Sequence, residues 1–175
     1  EEFILDQTLE PALADRPLEG FTVIDPTCGS GHFLLGAFHR LHRQWQRHAP
    51  GLGARELVAK ALDGVYGVDI NPFAIAIARF RLLVAALHAA GDTSIEQQIG
   101  YTPHLAAGDS LLWGAPQQAL DDDMLMLGTT MRADATENAA ALKDILQRHH
   151  DVVVGNPPYI TPKDAALNST YRQLY

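Results

Sequence analysis

The fold is decided by the stretch FTVIDPTCGSGHFLLGAFHRLHRQW, Phe21 to Trp45. Its first five residues, FTVID, form a short β-rich run that ends on Asp25. TCGSG then makes a turn. From His32 to His48 the apolar residues Phe33, Leu34, Ala37, Phe38, Leu41 and Trp45 recur at helical spacing, and Arg40, Arg43 and Arg47 fall on the other side. Arg47 and His48 stand where cations favour a helix C-terminus. A strand that passes through a glycine turn into an amphipathic helix is the opening unit of a parallel α/β sheet.

The flanking sequence repeats the pattern. Residues 2–15 read as a helix, with Phe3, Ile4, Leu9 and Leu13 among its apolar positions. Residues 54–62 form a shorter helix stopped by Gly64, and VYGVDI (65–70) is the second strand. Asn71 can cap the next helix with Pro72 in its first position, and Gly91 stops it after Ala90. A third strand is expected at 103–107, a loop at 114–135, and a helix from a Thr136 cap through Arg148. DVVVG (151–155) is the fourth strand, apolar throughout as for a strand covered on both faces. Thr161-Pro162-Lys163-Asp164 has the order of a further helix start. The crossovers are long enough for parallel strands. The expected fold is α/β: a doubly wound, Rossmann-like sheet, partial, with about four parallel strands.

The bulk numbers set bounds. With 175 residues, 47% of them hydrophobic, the chain can bury one core. The net charge of -8 opposes binding nucleic acid through this surface alone; either nucleic acid is no partner, or the basic part lies outside the chain. Cys28 is the single cysteine, which excludes an internal disulfide framework and suits a reducing cytoplasm. The chain opens on Glu1-Glu2, with neither a signal peptide nor an initiator Met, and reads as an excised piece. No apolar run is expected to span a membrane; the closest, Pro72 to Ala90, is interrupted by Arg79 and Arg81.

Ligands of such sheets sit outside the carboxyl ends of the strands, near the switch point. Four stretches fall there: Asp25–Phe33, Asp69–Pro72, Asp109–Ser110 and Asn156–Tyr159. The first can be a bare βα turn. It lacks the GxGxxG spacing of a dinucleotide site, and Asp25 would repel a pyrophosphate, so an acid there suits an ammonium group. Asp69 ends the second strand, where an acid accepts from ribose hydroxyls. Asp109 is an ordinary turn residue unless read with the others, when it can accept from an adenine amino group. In NPPY, the Asn156 side-chain carbonyl and the Pro157 backbone carbonyl are two close acceptors for one exocyclic amino group. Pro157-Pro158 fixes the backbone between them and Tyr159, whose ring can stack on a planar base for about 1–3 kcal/mol.

In order along the chain, DPTCGSGHFL, GVDINPFAIAIARFRL, GDSL and VVVGNPPY resemble motifs I to IV of the class I, S-adenosylmethionine-dependent, N6-adenine DNA methyltransferases. The long helical and NPPYITPKD segments look most like the adenine methyltransferase of BREX and phage-growth-limitation defence systems. The resemblance implies a piece of a bacterial cytoplasmic enzyme, with residues 1–175 forming part of its methyltransferase domain. It implies that Asp25 contacts the methionine ammonium. Thr27, Cys28, Gly29, Ser30, Gly31, His32 and Phe33 would form the loop and helix start around the methionine part. Asp69 would hold the ribose, with Ile70 and Asn71 beside it and Ile70 packing on the cofactor adenine. Asp109 would accept from that adenine's N6, with Ser110 nearby. Asn156, Pro157, Pro158 and Tyr159 would grip the flipped target adenine. The partner is DNA, held mainly by regions outside this chain, together with defence-system proteins and no membrane. Only part of the family's seven-stranded sheet is present, and both the segment before motif I and the target-recognition region are absent. The 175 residues alone are therefore expected to be weakly active or inactive.

Other residues have plainer readings. Cys28 is a buried thiol under the loop rather than a nucleophile. His39 and His42 read as a solvated helix face, His149-His150 as a helix end, and Asp121–Asp123 as solvated loop, so no metal site is expected. Two alternatives share the motif set. One is a protein-glutamine or RNA N-methyltransferase, whose planar amide or amine fits the same clamp. The other is a non-catalytic nucleotide-sensing module. A dehydrogenase is disfavoured by the missing GxGxxG.

Overall fold

The computed structural model describes residues 1–92, 101–114 and 139–157, together with 168, 169, 171 and 172. The elements are α1 (Glu2–Asp15), β1 (Val23–Asp25), α2 (His32–His48), α3 (Ala54–Asp63), β2 (Val65–Asp69), α4 (Pro72–Ala90), β3 (His104–Ala107), α5 (Ser110–Gly114), α6 (Ala139–Gln147) and β4 (Val152–Val153). The strands form one parallel sheet in the order β3-β2-β1-β4. Asp25 stands opposite Gly67, and Asp69 opposite Ala107. The chain moves outward from β1 through β2 to β3, then returns to the other side of β1 with β4. The reversal between β1 and β4 is the switch point, where the helices that follow neighbouring strands leave in opposite directions and open a crevice.

Helices cover both faces, as expected. On one, Leu34, Phe38 and Leu41 of α2, Val58 and Leu62 of α3, and Ile75 and Leu82 of α4 close over Val23 and Val65. On the other, Leu142 and Ile145 of α6 pack on Ile24, Tyr66, Val68 and Ala106. Asn71 Oδ1 accepts from the Phe73 N–H at 3.0 Å, so the anticipated cap of α4 forms. Gly91 takes the left-handed φ of 76° that ends it.

Four expectations change. Arg40 is not on a solvated face: it is 4% exposed, and its guanidinium reaches Glu2 at 2.7 Å, Asp6 at 2.6 Å and Glu10 at 3.2 Å. These three acids lie on one stripe of α1, which buries Leu5 and Leu9 against the core beside it. Arg40→Ala removes the cation and leaves the acids facing one another. An expected loss of about 1–3 kcal/mol in urea unfolding, with faster proteolysis within α1, checks this. His42 is also buried, stacked on Phe38, so only His39 keeps the solvated reading. The fourth strand is shorter than 151–155, and Val153 is 64% exposed. β4 is the edge of the four-stranded sheet, and the helix on that face lies over β2 and β3.

The fourth change concerns α4, which is long and apolar enough, by length and composition, to cross a membrane. One side of it is packed, while Phe73, Ile77, Phe80 and Val84 stand exposed on the other. It lies against α2 and α3, and its arginines bond to backbone carbonyls, Arg79 to Leu105 and Arg81 to Ser30. The helix expected from Thr136 is described from Ala139 onward. Thr136, most of the 114–135 loop, Asp121–Asp123 and the helix start at Thr161 lie outside the described residues. The short helix α5 was not anticipated.

Candidate functional site

Asp25 ends β1 with its carboxylate 1% exposed. Oδ1 accepts from the Thr27 N–H at 3.0 Å and lies 3.5 Å from the Thr27 hydroxyl. Burial pushes its pKa up to about 6; the bonds from Thr27 pull it down, and nearby Asp69 adds a smaller upward push. A buried acid with so few donors is poised for a cation.

The glycine turn is tied inward. The Cys28 N–H donates to the Val68 carbonyl at 2.9 Å, the Gly29 N–H to Asp69 Oδ2 at 2.8 Å, and the Gly31 N–H to the Cys28 carbonyl at 2.8 Å. With the Thr27 N–H held by Asp25, four of the five N–H donors of the 27–31 turn are already used, which leaves few for a phosphate. Gly31 has φ +83°, and a Cβ there would meet the Ala78 Cβ at 3.0 Å, so this position admits only glycine without a shift. Ser30 bonds to Arg81 of α4 through its carbonyl at 2.9 Å, and His32 lies 3.5 Å from both the Ser30 hydroxyl and Arg81. Phe33 is half-buried and packs on the core.

Asp69 joins the turn to the start of α4. Its Oδ2 takes the Gly29 N–H, and its Oδ1 takes the Asn71 N–H at 2.9 Å. Asn71 is spent on the cap of Phe73. Ile70 is 40% exposed, an apolar surface at the lip of the crevice. The Gly108 N–H donates to the Asp69 carbonyl at 2.9 Å, which holds the end of β3 beside it. Asp109 is buried, and its Oδ1 caps α5 by accepting from Leu111 at 3.1 Å and Leu112 at 3.3 Å. Its Oδ2 accepts from the Tyr171 hydroxyl. Ser110 is the first residue of α5.

Across the switch point, a Cβ added to Gly155 would sit 2.9 Å from Asp25 Oδ1 and 3.3 Å from the Thr27 hydroxyl. Only a glycine lets the end of β4 approach the carboxylate so closely. Asn156 and Pro157 follow at once and are exposed. Pro158 and Tyr159 lie outside the described residues. The geometry thus gathers Asp25, the 27–31 turn, Asp69 and the start of NPPY around one crevice, with Asp109 at its far edge. Pattern reading missed Gly155, Arg81, Ala78 and Tyr171. A glycine before NPPY and an arginine within an apolar helix were the visible signals for two of them.

Cys28 is 6% exposed, and burial, aided by Asp25 and Asp69, drives its thiol far above the ordinary range. It is therefore inert. Iodoacetamide is expected to leave the native protein unmodified over a time in which the urea-unfolded chain is fully alkylated; rapid native labelling would contradict the burial. A separate 370 Å³ cavity, lined by Lys60, Asp63, Tyr101 and His104, opens at the amino ends of β2 and β3. It is remote from Asp25, and strand-end geometry favours the switch-point crevice as the ligand site.

The sequence profile of the Eco57I restriction-modification methylase family matches residues 63–175. The adenine-specific methyltransferase PglX of Streptomyces coelicolor is 50% identical over an alignment of 187 positions, which takes in all of this chain and 15% of that protein. The type II methyltransferase M.BstVI of Geobacillus stearothermophilus is 29% identical over 176 positions, 99% of this chain and 26% of the relative. This chain therefore spans between 15% and 26% of the length of these relatives. Among solved structures, a nuclease-deletion mutant of the Type ISP restriction-modification enzyme LlaGI, in complex with a DNA substrate mimic, superposes with a TM-score of 0.52. It is 20% identical, with 80% of this chain and 10% of that one covered, a likeness of fold.

Proposed function

This chain belongs to the Eco57I restriction-modification methylase family, and from that premise we propose that residues 1–175 are the methyl-donor-binding part of a cytoplasmic enzyme that methylates adenine N6 in DNA. The observation that carries the reading is the approach of Gly155 to Asp25, which sets Asn156 beside a buried carboxylate at the switch point. The residues fit S-adenosylmethionine better than a dinucleotide. Asp25 needs a cation, the turn has few amides left for a phosphate, and Ile70 offers an apolar ledge for a flat ring.

In this reading Asp25 takes the ammonium group, Asp69 the ribose hydroxyls through its free lone pairs, and Asp109 the cofactor adenine. When bound, S-adenosylmethionine supplies an electrophilic sulfonium methyl. Asn156 and Pro157 accept both hydrogens of the target amino group, favouring a pyramidal nitrogen whose lone pair faces the donor. The same oxygens stabilise the positive charge that grows on that nitrogen. Alignment of nucleophile and donor supplies several kcal/mol of the barrier reduction. No strong base is required, because the amino proton becomes acidic once the methyl has transferred. The target base must leave the duplex to arrive here, and Tyr159 stacks on it. With a net charge of -8, this part leaves most of the DNA contact, and any contact with defence-system proteins, to polypeptide outside residues 1–175.

The test is methyl transfer by the full-length protein from labelled donor to duplex DNA, ribosomal RNA and a release factor, followed by hydrolysis. Label in N6-methyladenine from DNA supports the proposal. Label only in RNA or in protein glutamine would move the clamp to another substrate, and donor binding without transfer to any of them would favour a nucleotide-sensing module.

A further inference from the structure

We propose that Arg81 is a positioning residue for the methyl donor, holding the glycine turn in its binding shape from the neighbouring helix; this rests on the methyl-donor reading of the crevice. Arg81 Nη1 donates to the Ser30 carbonyl at 2.9 Å, lies 3.4 Å from the Ser30 hydroxyl, and is 3.5 Å from His32 Nε2. Ser30 lies between two glycines of positive φ, Gly29 at +53° and Gly31 at +83°. Such a turn has wide backbone freedom, and Ser30 would otherwise be its least constrained residue. Thr27, Cys28, Gly29 and Gly31 are tied by their own N–H groups; Ser30 is tied through its carbonyl, from outside the turn. One turn of α4 away, Ala78 meets Gly31, so the helix grips the turn at two successive residues.

The same helix starts at Pro72, directly after Asp69, Ile70 and Asn71. A single rigid rod therefore fixes both halves of the donor site, the turn around the amino acid part and the acid at the ribose. Arginine suits the task better than lysine. It keeps its charge, and its planar fork is already arranged for the bond, whereas a lysine stem must be ordered to make one. Arg79, two residues earlier, bonds to the Leu105 carbonyl on β3. It is the internal control.

The experiment uses the full-length protein and S-adenosylhomocysteine as the probe, with calorimetric affinity, steady-state kinetics and thermal melting for wild type, Arg81→Ala, Arg81→Lys and Arg79→Ala. Arg81→Ala is expected to weaken probe binding roughly tenfold or more, the loss of a charge-assisted bond. KM for the donor rises in parallel while kcat at saturating donor stays within about threefold. Arg81→Lys recovers part of the affinity, and Arg79→Ala leaves it unchanged. An unaltered affinity in Arg81→Ala would overturn the proposal, as would an equal loss in Arg79→Ala, which would mark a general effect of loosening α4. Should Arg81→Ala fail to fold, Arg81→Gln, which keeps a shorter donor, carries the same expectation and the same refutation. A wild-type protein that binds no probe strikes at the methyl-donor reading itself, a result distinct from a failure of Arg81.

Discussion

Replacing Asn156 by alanine in the full-length protein removes methylation and leaves S-adenosylhomocysteine binding intact. Gly155 lies against Asp25, so Asn156 stands at the seam between donor and target rather than within the donor site. Its side chain is exposed, so its loss costs little stability. What disappears is an acceptor aimed at charge that develops only in the transition state. Removal of one such group typically lowers kcat by about 10²–10³-fold. The rate at saturating donor and DNA should fall by that factor or more, with donor affinity within about twofold of wild type. Asn156→Asp retains the acceptor oxygens and should keep part of the rate. If Asn156→Ala methylates as wild type does, the clamp has no catalytic role.

Asp25→Asn is expected to stabilise the protein and weaken donor binding together. The folded-state pKa of about 6 lies above the ordinary 3.8, so the buried carboxylate opposes folding once ionised. That penalty is absent below 3.8, develops as pH rises toward 6, and is complete above it; the shift corresponds to about 3 kcal/mol. Asparagine keeps an oxygen for the Thr27 N–H and carries no charge, so urea unfolding above pH 6 should show a gain of about 1–3 kcal/mol. Below 3.8 the two proteins should converge. The same ionisation governs the ligand. Wild-type affinity for S-adenosylhomocysteine should fall about tenfold per pH unit below 6 and level off above it, and the asparagine variant should bind weakly throughout. A variant that binds as wild type does would remove Asp25 from the ammonium site.

The sheet was legible because β1, β2 and β4 carry β-branched residues, every strand run closes on an acid or a glycine, and each helix has a local signal. Asn71-Pro72 opens α4 and Gly91 closes it, and both work within the range of one turn. The strand-end acids were legible for the same reason. What escaped is what depends on partners distant in sequence. The period of α2 assigns Arg40 to solvent, yet the acids that draw it inward belong to α1, where Glu2, Asp6 and Glu10 repeat at helical spacing. Arg81 reads as an interruption of an apolar helix, and its partner is a carbonyl on another element. α5 is short, but its signal was present in Asp109, which caps it. The same residue shows why a site cannot be read from residue type alone. One oxygen of Asp109 serves the helix and the other meets Tyr171.

The account turns on where the methyl donor lies. The most direct measurement is a crystal structure of the full-length protein with S-adenosylhomocysteine. The expected result puts the ammonium on Asp25, the ribose on Asp69 and the sulfur open toward Asn156, in the crevice between the ends of β1 and β4. A ligand seated at the amino ends of the strands beside Lys60 and His104, or one that turns its sulfur away from Asn156, would contradict it.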